Sequence, residues 1–93
     1  MIFAVYIVEA EALDRYKIGC SAFPGPRIDA LRTASPVPLR LLRVIRHPQG
    51  RRLERLLHDR YARYRIHGEW FDFPKEILTA LLTEVFDGAI DES

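Results

Sequence analysis

The chain is short of cysteine and has no long apolar run. Cys20 is its single cysteine, so no disulfide can form within the chain, and one thiol fits a reducing compartment. No apolar stretch approaches the roughly 18 residues that a transmembrane helix needs. The first apolar run, residues 2–8, is only as long as a strand and has no basic flank, which disfavours a signal peptide. These absences predict a cytoplasmic (intracellular) protein with no membrane partner.

The chain also lacks a strong net charge, but its charges are unevenly placed. The total is +1, while residues 40–65 hold nine arginines against two acids and residues 66–93 hold one lysine against seven acids. The basic middle third can form a face that binds phosphates, or its arginines can be solvated and pair with the acidic C-terminal third. The predicted nucleic-acid contacts in this segment are Arg43, Arg51 and Arg55.

Length and composition predict one small folded domain. The chain has 93 residues, of which 48% are hydrophobic and 29% charged, so it can bury a modest core and is not disordered. We expect the domain to span residues 1–88, with a frayed tail at residues 89–93.

The order of apolar patterns predicts an α+β fold. Residues 39–47 are ambiguous, because arginines recur there every three residues, but their β-branched members and flanking prolines favour a strand. The apolar stripe of the longest helix is Leu53, Leu56, Leu57 and Tyr64, and Gly68 follows as its expected C-cap. The last helix is expected to bury Ile77, Leu78, Leu81, Leu82 and Val85. The predicted strands are 2–9, 16–21 and 39–47, the helices are 25–34, 51–65 and 75–87, and 69–73 is a short extended piece.

Three polar residues in the first third of the chain do not fit its apolar pattern. Tyr6 lies inside the first strand, Lys17 lies inside the second, and Arg27 lies in the first turn of the first helix. If the two strands pair, Tyr6 and Lys17 can be neighbours, and a cation near a tyrosine lowers its pKa. Arg27 can place its planar fork on a phosphate. The alternatives are a core tyrosine, a lysine that extends to solvent and a surface ion pair of Arg27 with Asp29 or a tail carboxylate.

Glu54 and His58 are four residues apart and project from one side of the longest helix. They can bind a metal together, or Glu54 can hold Mg²⁺ while His58 acts as acid, base or phosphate contact, because Mg²⁺ keeps several waters and needs few protein ligands. An ordinary ion pair on the helix surface is the alternative. A zinc site at Cys20, His47, His58 and His67 is disfavoured, since no two of these residues have close ligand spacing.

The ordered set of motifs resembles the GIY-YIG endonuclease superfamily, and its fuller wording resembles the phage-associated, stand-alone branch. The motifs are Ala4-Val-Tyr6, Tyr16-Lys-Ile-Gly-Cys-Ser21, Pro26-Arg-Ile-Asp-Ala-Leu31, Thr33-Ala-Ser-Pro-Val-Pro-Leu39, Glu54-x-x-x-His58 and Gly68-Glu-Trp-Phe71. The resemblance implies a three-stranded antiparallel sheet flanked by helices, in the order β-β-α-β-α-α. It also implies one divalent metal, Mg²⁺ or Mn²⁺, held by Glu54, with Tyr6 activating the attacking water and Arg27 stabilising the transition state.

The chain departs from the superfamily at two motifs. The first reads Ala-Val-Tyr in place of Gly-Ile-Tyr and keeps its tyrosine, whereas the second carries Lys17 in place of a tyrosine. Tyr16 is one position early and should point to the opposite face of the sheet. Lys17 is therefore predicted to modulate Tyr6, with His58 as an auxiliary catalytic residue.

The sequence thus predicts an endonuclease that hydrolyses DNA. Its own specificity is expected to be low, or to come from a protein partner, a homodimer or a structure in the substrate. A non-catalytic nucleic-acid-binding module on the same fold is the main alternative. A structural interaction domain, in which the basic and acidic segments neutralise each other, is a third.

Overall fold

In the computed structural model, which describes residues 2–90, five strands form one antiparallel sheet. They are β1 (Phe3–Ala10), β2 (Arg15–Ser21), β3 (Leu39–His47), β4 (Arg65–His67) and β5 (Trp70–Phe71), and their order across the sheet is β3-β1-β2-β5-β4. The helices are α1 (Pro24–Ala34), α2 (Gly50–Arg60) and α3 (Lys75–Thr83), and a 3₁₀ helix lies at Ala62–Tyr64. No helix between residues 2 and 90 is long and apolar enough to cross a membrane.

The central strand β1 divides the core into two layers. Its residues 4–8 are all buried, as the continuous apolar run predicts. Alternate side chains point to opposite faces, so Tyr6 and Val8 pack with Ile28 of α1, while Val5 and Ile7 pack with residues of α2 and α3. We call these two sides the α1 face and the α2/α3 face. The predicted strand at residues 39–47 is confirmed as β3, which pairs with β1.

The sheet has five strands where three were predicted, because the chain between α2 and α3 forms a hairpin. Strands β4 and β5 pair with each other, and β5 also pairs with β2 through Tyr16 and Lys17. Gly68 has a φ of +54° and lies in the turn of this hairpin, so its predicted role as a helix C-cap is wrong. The left-handed conformation of that turn is what glycine supplies.

Helices α2 and α3 both end earlier than the sequence predicts. The predicted helix 51–65 ends at Arg60, and the following 3₁₀ turn directs Tyr61 and Tyr64 onto the Phe73 ring, at centroid distances of 5.3 and 6.0 Å. The predicted helix 75–87 ends at Thr83. Two residues predicted to lie on apolar helix faces are exposed: Val85, which lies beyond the end of α3, is 90% exposed, and Leu56, which lies within α2, is 51% exposed.

Arg43 of β3 holds the C-terminal end of α3. Its guanidinium donates to the carbonyl oxygens of Leu81, at 2.8 Å, and Glu84, at 2.6 Å, and lies 5.3 Å from the centre of the Phe86 ring. Carbonyls at a helix end have no partner within the helix, and a cation there is favourable. Arg43 is therefore a structural cap on the α2/α3 face. The sequence predicted a nucleic-acid contact for this residue, but its guanidinium is engaged within the fold.

We expect Arg43→Gln to destabilise the fold by about 2 kcal/mol, because two charge-assisted hydrogen bonds are lost and two helix carbonyls are left without their donor. DNA affinity should stay within about twofold of the unchanged chain. Urea unfolding and fluorescence anisotropy with labelled DNA measure the two quantities. Arg55→Gln is the matched control, since Arg55 is exposed, and it should show the opposite pattern: unchanged stability and weaker DNA binding.

The segment after α3 returns to the sheet. The backbone N–H of Ile90 donates to the carbonyl of Arg46 at 2.8 Å, which makes a bridge to β3. The tail predicted to fray at residues 89–93 is thus hydrogen-bonded at Ile90, and residues 91–93 lie outside the described residues.

Candidate active site

The Tyr6 side chain lies across the backbone of β2. Tyr6 of β1 is paired with Gly19 of β2, and cross-strand partners share a face of the sheet. A Cβ atom at Gly19 would lie only 2.3 Å from Cζ of Tyr6 and 2.4 Å from its hydroxyl oxygen. The absent side chain at Gly19 therefore makes the space that the Tyr6 ring occupies, and the hydroxyl is carried over β2 towards the outer edge of that strand.

That outer edge of β2 is where α2 reaches the sheet. Within the described residues, β5 pairs only with Tyr16 and Lys17, so the rest of the edge has no neighbouring strand. His58 of α2 lies there instead, with Nε2 2.8 Å from the carbonyl oxygen of Ile18 and its ring edge-to-face with Phe71. Because a carbonyl only accepts, Nε2 carries the hydrogen. This contact fixes α2 against the strand edge.

Glu54 lies one helical turn before His58 and is half-buried. Burial raises the pKa of its carboxyl group, the charge of Glu69 raises it further, and the charges of His58, Lys17 and Arg51 lower it. Among residues 2–90, no hydrogen bond or ion pair holds this carboxylate. Glu54 is thus a desolvated acid surrounded by cations but contacted by none of them, an arrangement that a bound metal ion would stabilise.

Lys17 is buried beside the two carboxylates. Its Nζ lies 3.0 Å from the Glu69 carboxylate and 5.4 Å from the centre of the Trp70 ring, and only 11% of its side chain is exposed. The sequence suggested that Lys17 modulates Tyr6, but the strongest influences on the Tyr6 pKa are burial and Arg27. Lys17 instead offsets the charge of Glu69 and lowers the pKa of Glu54.

Arg27 of α1 is the cation that acts most strongly on Tyr6. Burial raises the pKa of the Tyr6 hydroxyl, the neighbouring Arg27 guanidinium lowers it, and the charges of Glu69 and Glu54 raise it. The guanidinium is nevertheless exposed. Arg27 forms no ion pair with Asp29 or with any other acid between residues 2 and 90, and Asp29 pairs with Arg32 at 3.7 Å. Arg27 is therefore held next to Tyr6 and is accessible to a phosphate group.

The chain matches a known protein family. A sequence model of the T5orf172 domain matches residues 4–86. The chain belongs to the T5orf172 domain family. It is a phage-associated domain often found in endonuclease-like proteins, which suggests a nuclease-like or DNA-binding role. No curated protein and no solved structure matches the chain.

The T5orf172 fold brings five predicted site residues together from four elements. They are Tyr6 on β1, Lys17 on β2, Arg27 on α1, and Glu54 and His58 on α2. The structure adds Glu69, from the β4–β5 turn, as the ion-pair partner of Lys17. The signal for it was the motif Gly68-Glu-Trp-Phe71, whose acid precedes two aromatic residues.

Two exposed arginines flank Glu54 on α2, which fits the predicted phosphate-binding face. Arg51 lies one turn before Arg55, and its guanidinium is 4.4 Å from the centre of the Phe3 ring. Acids of the C-terminal third pair with other cations: Glu84 contacts Arg60 at 2.6 Å, Glu69 contacts Lys17 at 3.0 Å and Asp72 lies 3.8 Å from Arg15. Arg51 and Arg55 are therefore placed beside the proposed metal ligand.

Cysteine and zinc chemistry find no support in this T5orf172 domain. Burial raises the pKa of the Cys20 thiol to about 11, so the reactive thiolate is scarce at neutral pH. Between residues 2 and 90, no group of three or more His, Cys, Asp or Glu side chains is placed to hold a metal ion. His47 is engaged by the carbonyl of Asp87 at 2.8 Å. A metal at this site would have to rely on few protein ligands.

Proposed function

We propose that this T5orf172 domain is a metal-dependent endonuclease of the GIY-YIG type that hydrolyses DNA phosphodiester bonds. One observation carries the proposal: the Tyr6 hydroxyl lies over β2 at Gly19, and both the exposed Arg27 and the half-buried Glu54, which has no ion-pair partner among residues 2–90, act on it electrostatically. Cleavage of a phosphodiester needs a cation on the phosphate, a group beside the attacking water and a site for a metal.

The donor set at Glu54 fits Mg²⁺ or Mn²⁺. Both ions prefer oxygen ligands, and Mg²⁺ keeps most of its waters, so one carboxylate is sufficient protein ligation when DNA phosphates complete the site. When bound, the ion supplies positive charge for the phosphate and lowers the pKa of water. The charges of His58, Lys17 and Arg51 oppose the rise that burial causes in the pKa of Glu54.

The chain's own residues divide the remaining work. Arg27 binds the phosphate and stabilises the charge that develops on it. In the free protein Tyr6 is a neutral phenol, because burial raises its pKa, and it can serve as the predicted base only when added positive charge lowers that pKa. His58 donates its Nε2–H to the Ile18 carbonyl and thereby positions α2. The other ring nitrogen, Nδ1, is the one left to accept a hydrogen bond.

We expect Arg27→Ala to lower the rate of DNA cleavage about 100-fold or more, with little change in the free energy of unfolding, because an exposed cation on the phosphate is lost. Arg27→Lys should recover only part of the rate, since an ammonium group cannot form the planar fork. Nicking of supercoiled plasmid measures the rate. Arg32→Ala is the control from the same helix, and an equal loss there would contradict a specific role for Arg27.

A non-catalytic DNA-binding module is the second candidate. Two observations favour it. The pKa of Tyr6 is raised, which makes it a weaker candidate for the base, and Lys17 replaces the second tyrosine of the superfamily. Plasmid nicking with Mg²⁺, with Mn²⁺ and with chelator distinguishes the two functions. Metal-dependent nicking supports the nuclease, whereas salt-sensitive DNA binding without nicking in either metal supports the module.

A further inference from the structure

A cavity of about 310 Å³ lies on the sheet beside the proposed site. Its walls come from the β1–β2 turn, the segment after α1 and the β4–β5 hairpin. The apolar lining includes Leu13, Pro36, Val37, Ile66 and Trp70. Leu13 and Ile66 are 55% and 47% exposed, which is a poor environment for large apolar side chains unless something covers them.

Trp70 makes this cavity continuous with the proposed site. Trp70 is paired with Lys17, so both side chains lie on the α1 face, the face that also carries Tyr6. The indole lines the cavity on one side and lies 5.4 Å from the Lys17 ammonium. Lys17 and Gly19 are two residues apart, or about 7 Å along a strand. Trp70, which lines the cavity, is therefore about 7 Å along β2 from the position at which the Tyr6 ring crosses that strand.

The lining chemistry suits a nucleobase. A base has flat apolar faces and polar edges, and the cavity offers the aromatic side chain of Trp70, aliphatic walls and the polar side chains of Arg15, Ser35 and His67. Arg15 is the charged side chain in this lining, and no carboxylate lines the cavity among the described residues. Stacking of bases on aromatic side chains is a general mode of binding single-stranded nucleic acid.

We propose that this cavity receives an unpaired base of the DNA strand whose phosphate lies at Arg27 and Glu54. The inference rests on the proposed function and narrows its substrate: the domain prefers DNA with a bulged, flipped or single-stranded nucleotide next to the scissile phosphate. A base stacked inside an intact duplex cannot enter a surface cavity until it leaves the stack.

Trp70 is the only tryptophan of the chain, so its fluorescence reports on the cavity directly. We would titrate the protein, in chelator to prevent cleavage, with three short duplexes: one with a single bulged base, one with an abasic nucleotide at the bulge, and one fully paired. The expected result is about tenfold tighter binding of the bulged base than of either other duplex, with quenching of Trp70 only by the bulged base.

The matched variants are Ile66→Ser in the cavity and Leu56→Ser on α2, because the two side chains are similarly exposed, at 47% and 51%. Ile66→Ser should remove most of the preference for the bulged base, and Leu56→Ser should keep it. Equal binding of the bulged-base and abasic duplexes would overturn the inference, as would a preference that survives Ile66→Ser. Plasmid nicking by the same preparation then separates the two claims: nicking without base preference leaves the nuclease and removes the base pocket, and base preference without nicking does the reverse.

Discussion

Replacing Glu54 by Gln is expected to lower the rate of metal-dependent DNA cleavage by about a thousandfold or more. The substitution keeps the shape of the side chain and removes the charge that would hold the ion. Loss of the metal's charge from the transition state costs several kcal/mol, and each 1.36 kcal/mol is a factor of ten in rate. The rate of plasmid nicking in Mg²⁺ and in Mn²⁺ is the measurement.

The same substitution should stabilise the metal-free protein at neutral pH. Burial raises the pKa of Glu54 in the folded state. A carboxyl group with a raised pKa binds its proton more tightly when folded, so its contribution to stability is full below the unfolded pKa of about 4.3 and is lost as the pH rises through the folded pKa. The neutral amide of the Glu54→Gln variant would carry no such penalty. Urea unfolding at acidic and neutral pH should show the difference between the two proteins only at the higher pH.

Thermal unfolding then tests the metal directly, without reliance on activity. A ligand that binds only the folded state stabilises it by RT ln(1 + [L]/Kd), about 2.7 kcal/mol at a hundredfold excess over Kd. Mg²⁺ or Mn²⁺ should therefore raise the Tm of the unchanged protein by several degrees and leave that of Glu54→Gln unchanged.

Asp59→Asn is the control for both effects, because Asp59 is an exposed acid on the same helix as Glu54. It should keep the nicking rate, the metal-dependent Tm and the pH dependence of stability. If Glu54→Gln cleaved DNA at a rate close to that of the unchanged protein, Glu54 would not be the metal ligand.

The elements that could be predicted from sequence are those that local pattern determines. The continuous apolar run of β1 requires burial on both faces, and β1 lies between β2 and β3 in the sheet. The proline pair at residues 24 and 26 fits the first turn of a helix, where a missing N–H costs nothing. Tyr16, one position out of phase with Lys17, lies in the core of the α2/α3 face as strand alternation requires.

The helix ends that could not be predicted are determined by tertiary contacts. No proline or glycine lies between Gly50 and Gly68, so nothing local stops α2 at Arg60. The helix ends where Tyr61 turns onto Phe73. In the same way, α3 ends where the guanidinium of Arg43 donates hydrogen bonds to carbonyl oxygens at the end of the helix. Arg43 is nearly forty residues earlier in the chain.

The residues of the candidate site also divide into those that the sequence indicated and those that it did not. The residue types and their order in the sequence indicated Tyr6, Arg27 and Glu54. The partner of Lys17 could not be read from the sequence, because Glu69 reaches it only through the β4–β5 hairpin, a pair of strands three and two residues long. Strands this short carry too few residues for an alternating pattern to be recognised.

Gly19→Ala is expected to disable the site by displacing Tyr6. The added methyl carbon would lie 2.3 Å from Cζ, 2.4 Å from the hydroxyl oxygen and 2.6 Å from Cε1 of that ring. Tyr6 is only 1% exposed, so its ring cannot move aside without disturbing the core. We expect a loss of about 1–3 kcal/mol in the free energy of unfolding from overpacking. We also expect at least about a hundredfold loss of cleavage, because a misplacement of about 1 Å is sufficient for that.

Gly25→Ala provides the matched control, because a Cβ atom at Gly25 would meet nothing within 4 Å. Gly25 lies in α1, so alanine there should keep the activity and raise stability by up to about 1 kcal/mol through its higher helix propensity. Combining Gly19→Ala with Tyr6→Leu should recover part of the lost stability, since the shorter side chain relieves the overlap, but should recover no cleavage. Additive losses in this double-mutant cycle would contradict the contact, because residues that touch are expected to be coupled. If activity returned with leucine at position 6, the tyrosine hydroxyl would have no part in the reaction, and Arg27 and Glu54 would have to account for it alone.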